Sequence, residues 1–171
     1  MYIIGMNEKF KILLAALFSL CVSSTVLGES INGKVVGVLD GDTIELLHGG
    51  EVKRVRLYGI DCPEKGQPYS AAAKKATSSL VAGQYVKLVV VDKDIYGRVV
   101  GKVLAQGGVY INRELVQRGL CRWYKRYASQ DKDLSLAESS AKEKKLGLWS
   151  LKDIVSPWDF RKGEAKLRQG R

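Results

Sequence analysis

The sequence predicts an α+β domain: a five-stranded β-barrel carrying three α-helices. Three observations lead there. Short apolar and β-branched runs fall into a group of three and a group of two, the signature of strands. One helical stretch separates the two groups and two more follow, each with apolar residues three or four apart. Glycine and other turn formers sit at the junctions, so the elements are short and closely connected. A chain of 171 residues with 46% apolar content suits one globular domain, and excludes disordered, collagenous and coiled-coil classes.

The elements follow in order. Ile31 to Val38 and Thr43 to Leu47 read as two strands joined through Asp40-Gly41-Asp42, whose glycine and acids favour a turn. After the turn His48-Gly49-Gly50, Val52 to Ile60 is a third strand, with Val55 and Leu57 alternating against Arg54, Arg56 and Tyr58. Pro63 and Pro68 break that pattern. Pro68 to Ala82 is a helix with Tyr69, Ala73, Ala76 and Leu80 on one face and Gly83 as its stop. Tyr85 to Val91 and Arg98 to Ala105 are the fourth and fifth strands, separated by a turn over Asp92 to Gly97. Asn112 is expected to cap a short helix to Arg118, and Ser129 to Leu146 forms the third helix, with Leu134, Ala137 and Ala141 aligned. Three strands, a helix, two strands and then helices is the order of an OB-type barrel, a class that often binds oligonucleotides.

Residues 1–28 read as an address. Lys9 and Lys11 precede the apolar run Ile12 to Val22, and the chain then reaches Val26-Leu27-Gly28, a small-residue end that suits cleavage of a secretory signal. The run is shorter than the roughly 20 residues a spanning helix needs. The expected division is therefore a signal over 1–28, the barrel domain over 29–150 and a basic extension over 151–171, in an exported protein that is secreted or periplasmic. Cleavage removes Glu8, Lys9 and Lys11, so the formal charge of +10 falls only to +9 and belongs to the folded domain. A basic exported domain can meet nucleic acid, an anionic wall polymer or a membrane surface, and charge alone does not choose.

One histidine, His48, and the scattered Cys21, Cys62 and Cys121 exclude a zinc site of the usual nitrogen and sulfur type. Any metal must be held by oxygen. In this basic domain Asp40, Asp42, Asp61 and Glu64 fall in two short irregular junctions at strand ends. Either junction alone is ordinary turn chemistry. Together they offer two carboxylates for a hard cation such as Ca²⁺, a third to handle a proton, and, with Arg56 and Arg98, two guanidiniums for a phosphate.

The run Val38-Leu39-Asp40-Gly41-Asp42-Thr43, then Val55-Arg56-Leu57-Tyr58-Gly59-Ile60-Asp61-Cys62-Pro63-Glu64, then Asp94-Ile95-Tyr96-Gly97-Arg98, resembles the staphylococcal nuclease family. The likeness continues through Asn112 to Leu120 and Lys145 to Trp149, so it spans nearly the whole mature domain. It implies a Ca²⁺-dependent endonuclease that cleaves DNA and RNA with low sequence specificity, prefers single strands, leaves 3′-phosphate ends and works as a monomer away from any membrane once the signal is cleaved. By the same resemblance Asp42 and Asp61 bind Ca²⁺ together with the backbone carbonyl of Cys62. Arg56 and Arg98 clamp the phosphate, Glu64 is the general base and Tyr96 contacts nucleotide. Tyr124 and Tyr127 are both candidates for stacking on a base.

Three departures and one conflict accompany the likeness. Only Lys65-Gly66-Gln67 separates Glu64 from Pro68, shorter than the lysine-rich loop of the best-known members; Ile95 stands where a lysine can help; and Trp123 to Tyr127 matches in uncertain register. The tail Ser156-Pro157-Trp158-Asp159-Phe160-Arg161 is similar to an extension of many bacterial relatives, with Trp158 and Phe160 expected to pack back on the domain and the basic end to be mobile. The conflict is that Arg56 and Asp61 are five apart, so a flat strand would place them on opposite faces. Gly59 must bend the chain, or the strand must end before Ile60. Cys62 and Cys121, the only cysteines of the mature chain, are expected as free thiols. The rival to an enzyme is a non-catalytic OB-type binding module; a cell-wall adhesion domain is a third reading that needs no acid cluster.

Overall fold

The structure, a computed structural model, describes residues 29–169. The expected signal over residues 1–28 lies outside them. Strands β1 (Ser30–Val38), β2 (Thr43–His48), β3 (Glu51–Leu57), β5 (Tyr85–Lys93) and β6 (Val99–Leu104) close a barrel in the order β1-β2-β3-β6-β5. The expected OB-type barrel is what the chain forms. Two further strands of two residues each, β4 (Ile60–Asp61) and β7 (Arg122–Trp123), pair separately.

Closure depends on β1. It pairs with β5 through Ser30 to Lys34 and with β2 through Lys34 to Val38, with an irregularity between Val35 and Gly37. A bulge there bends the strand enough to serve two neighbours. Parallel pairing of β3 with β6, Val55 opposite Val99 and Arg56 opposite Val100, completes the ring. Alternation sends Val35, Ile44, Leu46, Val55, Leu57, Leu88 and Val103 into the buried interior. Each such side chain contributes about 1.5–3 kcal/mol when fully buried.

Helix α1 (Ser70–Val81) joins β4 to β5 and packs against β1, while α2 (Ile111–Gln117) and α3 (Lys132–Glu143) pack on each other at one end of the barrel. A fourth helix, α4 (Pro157–Gln169), lies in the expected extension. Its start is capped: the Asp159 N–H donates to Ser156 Oγ at 3.3 Å, with Pro157 in the first turn. Among the described residues no helix is long and apolar enough to cross a membrane.

Three expectations are corrected. The third strand does not run on to Ile60; it ends at Leu57, and Gly59 takes a left-handed φ of 71° before β4 begins. A side chain there would also meet Ala128 Cβ and Leu134 Cδ1, each 2.7 Å away. Asn112 is not a cap. It lies inside α2, fully buried, its Oδ1 accepting from the Val103 N–H at 3.0 Å and its Nδ2 donating to the Tyr58 carbonyl at 2.8 Å. The amide thus satisfies strand-end groups that water cannot reach, which outweighs the local preference for a cap.

The third correction concerns the thiols: Cys62 and Cys121 form a disulfide, with Cα atoms 4.1 Å apart. Pairing of Ile60 with Trp123 and of Asp61 with Arg122 sets Cys62 opposite Cys121 as the next step of an antiparallel ladder. Two-residue strands carry no readable period, so the juxtaposition is absent from the sequence pattern.

Candidate active site

The β1–β2 turn fixes Asp42. Asp40 Oδ1 accepts from the Asp42 N–H at 3.0 Å, and Thr77 of α1 donates its hydroxyl to the Gly41 carbonyl at 2.6 Å. Gly41 is glycine because a Cβ would come within 2.8 Å of both Ala73 Cβ and Cys62 Cβ. The turn therefore presses against α1 and the disulfide. Asp42 is 6% exposed, and its Oδ2 accepts from the Cys62 N–H at 2.6 Å.

Arg56 projects from β3, where its backbone faces Thr43 across the ladder. Its Nη1 meets Asp42 Oδ1 and its Nη2 donates to Asp61 Oδ1 at 2.7 Å. The left-handed turn at Gly59 resolves the conflict of faces: the five-residue count spans two strands of different sheets, so Arg56 and Asp61 converge. Asp61 is fully buried. An ionised carboxylate there requires a compensating cation.

A residue that the sequence reading did not single out meets that need. Arg161, from the first turns of α4, donates from Nη2 to Asp61 Oδ2 at 2.8 Å and from Nη1 to Asp61 Oδ1 at 3.1 Å. The same Nη1 reaches Glu64 Oε1 at 2.5 Å. The signal that could have revealed it is Ser156-Pro157-Trp158-Asp159, a helix start that sets Arg161 one turn in and three residues after Trp158.

Glu64 opens the short loop before α1, where its N–H donates to Gln67 Oε1 at 2.9 Å. Electrostatics follow the packing. Burial raises the Asp61 carboxyl above its ordinary value, against the pull of Arg161 and then Arg56. Asp40 is pushed up to about 6 by burial first and by the charge of Asp42 second. Burial works against the charge of Arg56, but Asp42 and Asp61 more than reverse this and hold the guanidinium above its usual value.

The fold thus brings Asp42, Arg56, Asp61 and Glu64 into one cluster. It does not bring Arg98 into contact with those carboxylates. Arg98 precedes β6, and its Nε donates to Asp94 Oδ2 at 2.7 Å. Tyr96 lies beneath it, 77% exposed, with the Arg98 guanidinium 5.6 Å from the ring centre. Tyr124 stacks on Trp158 with ring centres 5.1 Å apart, and Tyr127 meets Tyr124 edge-on. Trp158 therefore covers one face of Tyr124, while Tyr127 remains 63% exposed.

Oxygen chemistry at the carboxylate pair suits a hard divalent cation. Asp42 and Asp61 are both nearly or wholly buried and already share one cationic partner in Arg56. Among the described residues no group of three or more His, Cys, Asp and Glu side chains forms a ready-made cage. Two carboxylates leave such a site open, with room for water or ligand oxygens around a hard cation.

Known proteins resemble this chain over most of its length. Residues 54–151 match the family described as staphylococcal nuclease homologue, a stretch that holds Arg56, Asp61, Glu64 and Arg98. An Escherichia coli protein described as an uncharacterized endonuclease is 41% identical over 136 residues, covering 80% of this chain and 88% of that protein. A Shigella flexneri micrococcal nuclease is 37% identical over 140 residues, 76% of this chain and 80% of its own length. An uncharacterized endonuclease of Haemophilus influenzae is 36% identical over 156 residues, 90% of this chain and 86% of its own.

Proposed function

This chain is a member of the staphylococcal nuclease family, and on that premise we propose that it is a Ca²⁺-dependent endonuclease hydrolysing phosphodiester bonds of DNA and RNA with low sequence specificity. The observation that carries the reading is the convergence of Arg56 with Asp42 and Asp61 in a buried cluster edged by Glu64. A binding module has no use for buried carboxylates beside a phosphate-binding guanidinium, since they repel the ligand.

Asp42, Asp61 and the Cys62 carbonyl would hold the Ca²⁺, which when bound supplies positive charge against a phosphate oxygen. The chain's own groups do the rest. Arg56 and Arg98 bind the remaining phosphate oxygens and stabilise the charge that grows on them during attack. Glu64 accepts a proton from the attacking water on a carboxylate oxygen. Water adds to phosphorus, the bond to the 5′ oxygen breaks, that oxygen takes up a proton from solvent, and the products are a 3′-phosphate and a 5′-hydroxyl. Contacts directed to phosphate carry no base information, which accounts for low specificity.

Exposed Tyr96 and Tyr127 give unpaired bases an aromatic surface, which supports a preference for single strands. The disulfide supports export, because such bonds persist in oxidising compartments. All the groups named belong to one chain, and a monomer suffices. The test is cleavage of single-stranded DNA with Ca²⁺ and then with excess chelator, followed by analysis of the ends. Cleavage should stop in chelator and in Asp42→Ala. Robust hydrolysis in either condition rejects the metal assignment.

A further inference from the structure

The strongest feature outside the proposed chemistry is the C-terminal arm that carries Arg161. Both oxygens of Asp61 are engaged: Oδ1 accepts from Arg56 at 2.7 Å and from Arg161 at 3.1 Å, and Oδ2 accepts from Arg161 at 2.8 Å. Glu64 is held by the same guanidinium at 2.5 Å. The two carboxylates assigned to cation and water are thus occupied by one side chain that lies 100 and 97 residues further along the chain.

The arm is seated by contacts of its own. Trp158 stacks on Tyr124, Phe160 lines a cavity of about 160 Å³ with Pro63 and Pro68, and Gln67 Nε2 donates to the Val155 carbonyl at 3.1 Å. Trp158 and Arg161 are three apart, so they share a helix face, and the stack aims the guanidinium at Asp61. Unlike Arg56, whose side chain is 15% exposed, Arg161 is 41% exposed and has an open path to solvent.

We propose that Arg161 is a built-in competitor for the divalent cation, and that α4 acts as a latch which closes the site when the cation is scarce. A cation and the guanidinium compete for Asp61 Oδ2, because two positive charges repel at such range. Binding of Ca²⁺ therefore requires Arg161 to leave, and the site opens only where Ca²⁺ is abundant. This inference rests on the reading of Asp61 as a cation ligand.

Calorimetric titration of Ca²⁺ alone into the full-length protein tests it without any turnover. Arg161→Gln should bind Ca²⁺ more tightly than the wild type, on the order of 10-fold, the usual scale of such coupling. Trp158→Ala, which loosens the arm without touching a carboxylate, should shift affinity the same way by less. Tighter binding cannot arise from a damaged fold, so a gain in both variants supports the latch. Equal or weaker binding in Arg161→Gln overturns the latch alone. Failure of all three proteins to bind Ca²⁺ overturns the metal reading and the latch with it.

Discussion

Arg56 and Arg98 are assigned to one phosphate, but they are held in opposite ways. Arg56 rises from the penultimate position of a barrel strand, its side chain 15% exposed, between two carboxylates that are themselves buried. Arg98 stands on a turn, 27% exposed, against a single acid four residues earlier in the chain. That turn is local: Asp94 Oδ1 accepts from the N–H groups of Tyr96 and Arg98, each at 3.0 Å. Long-range ladders place the first arginine and tie it to stability, whereas five consecutive residues place the second.

The largest effect should follow from breaking the buried side. Arg56→Gln leaves Asp42 and Asp61 facing each other without their shared cation, and removal of one partner from a buried pair costs about 3–5 kcal/mol. Urea unfolding in chelator should show it, with partial recovery in Ca²⁺ as the cation replaces the lost charge. A loss below about 1 kcal/mol, the level of an exposed pair, would show that the two arginines are held alike.

Next in size is the bond that delivers Asp61 to Arg56. Cys62 and Cys121 lie 59 residues apart, and cross-linking a loop of that length contributes about 4 kcal/mol in the chain-entropy model. Cys121→Ser should lower the melting temperature of the oxidised protein to that of the reduced wild type. If the two melt as the intact protein does, the β4–β7 ladder holds Asp61 without covalent help.

The smallest effect belongs to the locally held side. Although burial works in the other direction, the bonds from Arg98 hold the Asp94 carboxyl below its ordinary 3.8. A depressed carboxyl stabilises the fold above that value, and the contribution is lost as pH falls through the folded one. Asp94→Asn should therefore cost less than about 1 kcal/mol at neutral pH, and the difference from wild type should vanish in acid. Denaturation at several pH values checks this, and a loss comparable with Arg56→Gln would erase the contrast.

The same contrast governs what could be read from the sequence. Barrel strands were legible because Val55 and Leu57 alternate with Arg54 and Arg56, and one buried face enforces the period. The candidate carboxylates were legible as acids at strand ends, but their convergence on Arg56 was not, since it depends on a left-handed Gly59 and a two-residue strand. Asn112 shows a local rule losing to tertiary need: it looks like a cap and serves as a buried bridge between α2 and the strand ends. Arg161 was hidden for another reason. Its helix start was readable in Ser156 and Pro157, and Trp158 and Phe160 point to packing on the domain, but nothing local says that this packing sets Arg161 against Asp61 and Glu64.

Whether this cluster hydrolyses a phosphodiester or merely holds one is decided by Glu64→Gln. The substitution keeps size and hydrogen bonding but removes the basic oxygen, leaving Asp42, Arg56 and Asp61 in place. Single-turnover cleavage of a short DNA strand should fall by about 10² to 10⁴, the usual contribution of a general base, while equilibrium binding of the same strand stays near the wild-type value. Unchanged cleavage would remove Glu64 from the chemistry, and a wild-type protein that binds the strand in Ca²⁺ without cutting it would be the non-catalytic module and not a nuclease.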